Sequence, residues 1–346
     1  MLALILIIGL TAGCAPKNDN LISEEIPSSA DTPPVSPETG TPEVDPPGAI
    51  IRIAALKGPT AMGMVKMLSD NDNLKDPGGN TYTAEIFGTP DEVSALLING
   101  TIDVAAVPCN LASVLYNKTG GKIKIAAINT LGVLYIVENG ETIQSVEDLI
   151  GKTIYSTGQG TTPEFSLNYI LRQNGIDPEN DINIEYKSES TEIAALLSSN
   201  DDAIIAVLPQ PYVSTVQMQN ENVRIALDLT EEWNKCSTDS TLVTGVVVVR
   251  TEFLEQNEAA FSQFMDDYAA SAEYVKKNIS DTAALIEKYD IVPAKVAERA
   301  LPFCNINFIS GIEMQTLVNG YLSVLYDANP QSVGGALPDD NFYFKS

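Results

Sequence analysis

The sequence contains no histidine among its 346 residues. This absence excludes nucleophiles that a histidine activates and metal sites that use an imidazole ligand. Cysteine is scarce too, and the spacing of Cys14, Cys109, Cys236 and Cys304 is not that of zinc ligands. Without Cys14 the number of cysteines is odd, so at least one thiol is free. The sequence does not decide whether Cys236 and Cys304 form a disulfide. We expect no metal and no cofactor.

Positive charge is also scarce. The chain has 20 Lys and Arg residues against 46 Asp and Glu residues, which gives a net charge of −26. Most of this excess remains when the acidic segment at 15–48 is set aside. An acidic body disfavours nucleic acid and direct adhesion to anionic lipid, so we expect no nucleic-acid partner.

A short apolar run opens the chain. Residues 1–14 read MLALILIIGLTAGC, and a run of this length is too short for a permanent membrane-spanning helix. The pattern predicts a processing segment, and TAGC resembles the bacterial lipobox, whose cysteine is lipidated and becomes the mature N-terminus. We therefore expect a lipoprotein signal peptide at 1–13 and an acylated, palmitate-bearing Cys14 that anchors the chain to a membrane.

The segment that follows is rich in proline and acidic residues. This segment, counted with the lipidated Cys14, spans residues 14–48. It cannot bury enough apolar surface to offset the conformational entropy lost on ordering. We expect a disordered tether. In a polyproline-like state it could hold the folded body up to about 100 Å from the membrane surface.

The body from residue 49 onward alternates strand and helix patterns. Apolar runs such as IIRIAAL at 50–56 are followed by helical segments, and a second series of the same kind begins after SVEDLIG at 145–151. The alternation predicts an α/β fold with two lobes of related design, each built on a parallel sheet covered on both faces. In GTPDEVSALLING, Thr89, Pro90, Glu92 and Gly100 predict a capped helix.

After residue 250 the pattern changes to helices alone. Their apolar faces are expected to pack on the first lobe, so the chain crosses between the lobes twice, near 136–146 and near 240–247. The predicted first lobe therefore comprises 49–138 and 246–346, and the predicted second lobe comprises 139–245.

A glycine-containing loop, STGQGTTPEFSL at 156–167, raises the question of a phosphate site. The nearby GKT at 151–153 lacks the glycine that a phosphate-binding loop needs five positions earlier, since that residue is Val146, and it leads into a strand. The dinucleotide-binding pattern fails because Pro163 occupies the place of its third glycine. The loop therefore predicts a helix N-terminus capped by Thr161 or Thr162. A capped helix that contacts no ligand remains the alternative.

Three other strand-to-helix junctions favour the binding interpretation. Ligands of open α/β sheets lie beyond the carboxyl ends of the strands, where helix N-termini converge. With the loop above, two junctions fall in each predicted lobe, so they could hold one small ligand between them. The three further junctions are KGPTAMG at 57–63, VPCNLAS at 107–113 and LPQPYVS at 208–214.

The order of these motifs resembles a known family. The series ALKGPTAMGMVKML, GTPDEVSALLING, NTLGVLYIVENG and SVEDLIGKTIYSTGQGTTPEFSLNYILRQNGI is similar to the solute-binding lipoproteins of ABC importers, in the branch of nitrate, sulfonate or taurine and thiamine-pyrimidine-precursor binders. The resemblance covers 50–346 and implies a type II periplasmic-binding-protein fold with a two-strand hinge and no catalysis. It implies ligand contacts from Gly58, Pro59, Thr60, Ala61, Asn110, Asn129, Thr130, Gln159, Gly160, Thr161, Thr162 and Gln210.

The resemblance also implies partners and a location. We expect a monomer on the outer face of the bacterial cytoplasmic membrane that delivers a small solute to an ABC permease. The sequence does not decide whether the solute is a sulfonate, nitrate, a pyrimidine or a similar heterocycle. Arginine occurs at only five positions, all within predicted strands, helices or helix ends, so anion recognition falls to backbone amides, hydroxyls and Lys57. The aromatic side chains of Tyr135, Tyr212 and Trp233 could pack against a flat heterocycle. For each of them, packing in the hydrophobic core is the alternative.

Two other functions compete with import. A relative of this fold makes a pyrimidine by consuming its own histidine, and a chain without histidine cannot perform that reaction. A ligand-sensing or signalling module that is not coupled to transport is the remaining alternative to import.

Overall fold

The computed structural model describes residues 48–73, 79–199 and 203–345. The predicted signal peptide, Cys14 and nearly all of the tether lie outside the described residues. No helix within the described ranges is long and apolar enough to cross a membrane.

The first of two sheets has six strands, in the spatial order β11-β4-β10-β3-β1-β2. The strand β1 pairs in parallel with both β2 and β3, whereas β10 is antiparallel to β3 and β4. The strands are β1 (Ile50–Leu56), β2 (Thr81–Phe87), β3 (Val104–Pro108), β4 (Ile123–Leu131), β10 (Val243–Arg250) and β11 (Ile306–Ile309).

The second sheet has five strands, in the order β7-β6-β8-β5-β9. The strand β6 is parallel to β7 and β8, and β5 is antiparallel to β8 and β9. The strands are β5 (Leu134–Asn139), β6 (Thr153–Ser156), β7 (Asn183–Tyr186), β8 (Ile205–Pro209) and β9 (Val223–Asp228).

The two sheets share one design. In each sheet three neighbouring strands are parallel, namely β2, β1 and β3 in the first and β7, β6 and β8 in the second. The next strand in space, β10 or β5, runs the other way. It lies beside a fourth strand of the same half, β4 or β9. The lobes are thus related, as the sequence predicts, but the expectation of purely parallel sheets is wrong. The reversed strands β5 and β10 follow the points where the chain changes sheets, so they enter their sheets from the opposite end.

Helices cover both sheets. The predicted helix at 90–99 begins at Pro90 after Thr89 and ends at Gly100, which has a left-handed φ of 80°. The Thr89 hydroxyl donates to the Glu92 carboxylate over 2.7 Å instead of accepting from the backbone. The helices are α1 (Pro59–Met62), α2 (Val65–Asp72), α3 (Pro90–Asn99), α4 (Cys109–Thr119), α5 (Thr162–Gln173), α6 (Ser190–Ser198), α7 (Tyr212–Gln219), α8 (Leu229–Cys236), α9 (Thr251–Gln256), α10 (Glu258–Lys277), α11 (Ile279–Lys288), α12 (Ala294–Ala300) and α13 (Gly311–Ala328).

The core lies on both faces of each sheet. On one face of the first sheet α10, α11 and α12 pack with α1 and α2. The helix α13 packs on α4 of the first half and also on α5 of the second. The C-terminal helices therefore cover the first sheet, as expected from their apolar faces, and α13 also joins the halves.

The chain changes sheets twice. The first crossing is Gly132–Val133, between β4 and β5, and the second lies between the end of β9 at Asp228 and the start of β10 at Val243. The predicted lobe boundaries at 138/139 and 245/246 fall a few residues after these sheet changes and stay predictions.

Candidate functional site

The predicted junctions lie at the strand ends beside the two crossings. Because β1 and β3 are parallel neighbours, their carboxyl ends share one edge of the first sheet. The strands β6 and β8 do the same in the second sheet. The backbone N–H of Gln210 donates to the carbonyl of Val133 over 3.0 Å, which attaches the β8 junction to the first crossing.

Thr60 and Asn129 meet in a buried polar network. The Asn129 Nδ2 donates to the Thr60 carbonyl over 3.1 Å and to the Tyr268 hydroxyl over 2.9 Å. A Cβ on Gly245 would lie 2.5 Å from Asn129 Oδ1 and 2.6 Å from Thr60 Cγ2. Only glycine at this place in β10 lets the two side chains approach the strand so closely.

Four polar atoms near the crossings are sealed from solvent and have no hydrogen-bond partner among the described residues. Their side chains are at most 8% exposed. The atoms are Asn129 Oδ1, Thr130 Oγ1, Gln210 Nε2 and Thr230 Oγ1. A buried polar group without a partner costs roughly 1–3 kcal/mol, so this set is unfavourable unless another molecule completes it.

The β1 junction borders open space at Gly58. This residue has a φ of 119°, which favours glycine, and a Cβ there would meet no atom within 4 Å. Pro59 is half-buried and starts α1, and Ala61 is fully buried in the core. Of these predicted ligand contacts, Ala61 is therefore the one that packs inside the protein.

The Gln159 loop is the most exposed part of the predicted site. Gln159, Gly160 and Thr161 are exposed. The Thr161 hydroxyl donates to the Gly158 carbonyl over 2.6 Å, and the Gly160 N–H donates to the Glu164 carboxylate. The loop thus makes hydrogen bonds within itself. Nothing described joins it to the Thr60 and Asn129 network.

Asn110 and Thr162 face the C-terminal part of the chain. The Asn110 Nδ2 lies 3.4 Å from the Ser332 carbonyl, and the Tyr321 hydroxyl lies 3.4 Å from Thr162 Oγ1. Thr161 is the N-cap of α5, as one of the two predicted alternatives has it, although its side chain accepts no cap hydrogen bond.

The cation at the β1 junction is held by a carboxylate, because Lys57 pairs with Asp290 over 2.7 Å. Arg52 and Arg250 pair with Asp103, which precedes β3 and therefore lies at the opposite edge of the sheet from the junctions. Burial opposes ionisation of Asp103, but the hydrogen bonds from Arg52 and Arg250 outweigh it and lower the pKa of this carboxyl. Neutral side chains therefore form the polar cluster at the crossings.

The aromatic candidates belong mainly to the core. Trp233 is fully buried between the rings of Tyr169 and Tyr321, and its Nε1 donates to Ser240 over 2.8 Å. The buried Tyr135 hydroxyl donates to the Phe303 carbonyl over 2.8 Å. Tyr212 is half-buried against the second sheet.

The three described cysteines are free, so Cys236 and Cys304 are not bridged. Cys304 is buried, and this burial raises the pKa of its thiol to about 12. Cys109 is buried likewise. These two residues are small core side chains.

Sequence reasoning missed Thr230 and Tyr268. Thr230 lies in a fifth strand-to-helix junction, where the Asp228 side chain accepts from the N–H of Thr230 over 2.7 Å and caps α8. The signal was present, because Asp228 is followed three residues later by Glu231. Tyr268 gives no such signal, since it reaches Asn129 from 139 residues away in sequence.

A cavity of about 450 Å³ lies elsewhere, between α2, β2 and α10. It contains none of the predicted site residues. The chemistry at the crossings, rather than this volume, defines the candidate site.

The two sheets and the two crossings between them form the type II periplasmic-binding-protein fold. Three solved structures share it. An ABC transporter protein from Parabacteroides distasonis is 27% identical, with a TM-score of 0.71 over 86% of this chain and 99% of that one. The periplasmic aliphatic sulphonate binding protein of Escherichia coli is 19% identical, with a TM-score of 0.67 over 86% and 92%. The periplasmic nitrate-binding protein of Synechocystis PCC 6803 is 14% identical, with a TM-score of 0.53 over 72% and 69%.

The family follows from the sequence itself. Residues 84–280 match the NMT1/THI5-like family, and the chain belongs to it. This confirms the branch to which the motif order points. A search of curated proteins finds no match.

Proposed function

We propose that this chain is the extracytoplasmic solute-binding component of an ABC importer. It captures one small solute between its lobes and delivers it to the permease. The observation that supports this most directly is the set of four buried polar atoms without partners, which lie in both halves beside the crossings. A solute that pairs with these groups would offset their desolvation.

The proposed mechanism is a shift between two states. The two lobes, each carrying one of the two sheets, move about the crossings at Gly132–Val133 and between Asp228 and Val243. A solute that contacts both lobes stabilises the closed form, and the permease recognises that form. Gly58 and the Gln159 loop border the space through which a solute enters, while Thr60, Asn129, Thr130 and Gln210 form its floor.

The proposed solute is a sulfonate, nitrate, a pyrimidine or a similar heterocycle. Two neighbours of the same fold are described as sulphonate- and nitrate-binding. The test is a thermal unfolding screen of the full chain against these classes. A solute at 100 times its Kd should add about 2.7 kcal/mol of stability and be recovered chemically unchanged. Consumption of the solute would indicate an enzyme instead.

The anchor belongs to the same proposal. The chain is secreted, lipidated at Cys14 and held as a monomer on the outer face of the membrane by the tether at 14–48. Cys14→Ser should abolish palmitate labelling and move the protein from the membrane fraction to the supernatant. Cys236→Ser, which keeps the lipobox, is the matched control. Retention of the Cys14 variant on membranes would contradict the anchor.

A further inference from the structure

The two amide side chains at the first crossing have fixed orientations. The Asn129 Nδ2 lies 3.1 Å from the Thr60 carbonyl. A carbonyl only accepts hydrogen bonds, so the nitrogen of Asn129 must face it. The reversed amide would place two oxygens against each other. Asn129 Oδ1 is therefore an acceptor without a partner among the described residues.

Gln210 is fixed the opposite way. Its Oε1 accepts from the backbone N–H of Ser214 over 3.3 Å and from the Ser214 hydroxyl over 3.0 Å. A backbone N–H only donates, so the amide oxygen must face it. Gln210 Nε2 is consequently a donor without a partner among the described residues, on a side chain that is 2% exposed.

The acceptor and the donor lie on the two sides of one crossing. Asn129 is near the end of β4 in the first sheet, and Gln210 follows β8 in the second. The segment around Phe303 lies against both halves here, because the Leu131 N–H donates to the Asn305 carbonyl and the Tyr135 hydroxyl donates to the Phe303 carbonyl. One solute between the lobes can reach both amides once the lobes part.

The hydrogen-bonding groups of the solutes distinguish the solute classes. Sulfonate and nitrate head groups carry acceptors only, so they could pair with Gln210 Nε2 but would repel Asn129 Oδ1. Lys57, the cation at the β1 junction, is already paired with Asp290 over 2.7 Å and does not compensate this repulsion. The hydroxyls of Thr130 and Thr230 can donate or accept, so they do not discriminate.

Resting on the proposed function, we infer that the solute is a lactam or ureide heterocycle rather than a compact oxyanion. Its N–H donates to Asn129 Oδ1, and its carbonyl accepts from Gln210 Nε2. A site built around a fixed donor and acceptor strongly disfavours an analogue that lacks the matching group. This assigns Asn129 and Gln210 as the residues that determine specificity.

The test compares matched probes on the full chain by isothermal titration. Uracil, hypoxanthine and hydantoin carry the N–H and carbonyl pair, 1,3-dimethyluracil lacks the N–H, and nitrate and ethanesulfonate carry acceptors only. We expect binding by at least one of the first three. Its N-methylated or acceptor-only counterparts should bind at least tenfold more weakly.

Gln210→Glu replaces the donor with an acceptor at nearly the same size. It should weaken binding of the heterocycle at least tenfold. Gln219→Glu is the matched control, because Gln219 is exposed at the end of α7, the helix that follows Gln210, and its amide oxygen accepts from the Ser198 hydroxyl. Circular dichroism checks that both variants remain folded.

The outcomes separate the two proposals. If nitrate or ethanesulfonate binds and the Gln210 variant changes its affinity, the chain is a solute-binding protein and the lactam inference is wrong. A heterocycle that binds equally well to wild type and Gln210→Glu also overturns the inference. If neither class binds a folded chain, the inference fails, and the solute screen decides the function.

Discussion

Gly132 lies at the first crossing, where the chain has no room for a side chain. A Cβ there would lie 2.1 Å from Thr230 Oγ1 and 2.9 Å from Leu242 Cβ. Both contacts belong to the second crossing and its flanks, so one residue fixes how closely the two crossings pack. At residue scale the hinge depends on this contact.

Gly132→Ala should destabilise the protein by about 1–3 kcal/mol, because overpacking forces Thr230 and Leu242 to move. Urea denaturation measures the change. Gly88→Ala is the control, since a Cβ there meets nothing within 4 Å, and it should leave stability equal or slightly higher. Equal stability of wild type and the Gly132 variant would show that the crossings are not tightly packed.

Glu138 gives a pH dependence at the same scale. It is fully buried at the end of β5 and pairs with Arg224 over 2.8 Å. Burial opposes its ionisation, but hydrogen bonds from Thr142 and the Ile143 N–H, together with Arg224, outweigh it and lower the pKa of Glu138. Since the folded pKa lies below the unfolded value of about 4.3, the stabilisation is present above that value. It is lost as pH falls through the folded pKa.

Glu138→Gln should therefore lower the free energy of unfolding by about 1–3 kcal/mol at pH 7. The difference from wild type should shrink below about pH 4. Urea titrations at a series of pH values measure it, with exposed Glu141→Gln as the control. A difference that stays constant from pH 7 to pH 3 would contradict the assigned ionisation.

At the scale of elements, the C-terminal segment is fastened across α4. The Asn117 Nδ2 donates to the carbonyls of Val333 and Ala336 over 3.0 and 2.8 Å, and the Ser113 hydroxyl donates to Val333 over 2.7 Å. Phe342 is fully buried against Tyr116. The segment thus holds the helix whose first turn carries Asn110.

Asn117→Asp replaces the donating amide with an acceptor that faces two carbonyls. It should destabilise the protein by about 1–3 kcal/mol and increase hydrogen exchange in 330–345. Asn319→Asp, at an exposed position of α13, is the control. Unchanged exchange in the C-terminal segment would show that other contacts hold it.

The elements also show what the sequence could predict. Strands with continuous apolar runs, such as β1 and β8, and the helix between Pro90 and Gly100 are predictable because burial and capping act locally. The short strand β11 and the helix α8 were missed. The strand β11 forms through irregular pairing with β4, and the apolar residues before α8 read as a continuation of β9. The reversal of β5 and β10 depends on where the chain crosses, which local patterns do not report.

The candidate site likewise contains some residues that the sequence indicates and others that only the structure reveals. Thr60, Asn129, Thr130 and Gln210 were named through the family resemblance, and their contact with solute stays a prediction. Tyr268 reaches the site only through packing of distant segments, whereas Thr230 follows a local capping signal, Asp228 with Glu231. Residue types alone therefore indicate the junctions, whereas the fixed directions of the Asn129 and Gln210 amides require three-dimensional contacts.

At the scale of the whole molecule, Tyr135 links the two halves. It lies on β5 in the second sheet, and its hydroxyl donates over 2.8 Å to Phe303, which follows α12 in the C-terminal helices. The two rings also meet edge to face at 6.5 Å. This contact belongs to the packed arrangement of the lobes, so we expect it to break when the lobes part.

Tyr135→Phe should remove the hydrogen bond, worth about 0.5–1.5 kcal/mol, while keeping the ring. The closed form then loses population, so solute affinity should fall by about two- to tenfold, mainly through faster dissociation. Small-angle scattering without solute should give a larger radius of gyration than wild type. Tyr212→Phe, on a half-buried tyrosine of the same lobe, is the control. An unchanged radius together with unchanged dissociation would mean that this contact survives lobe motion, and the lobes would then pivot elsewhere.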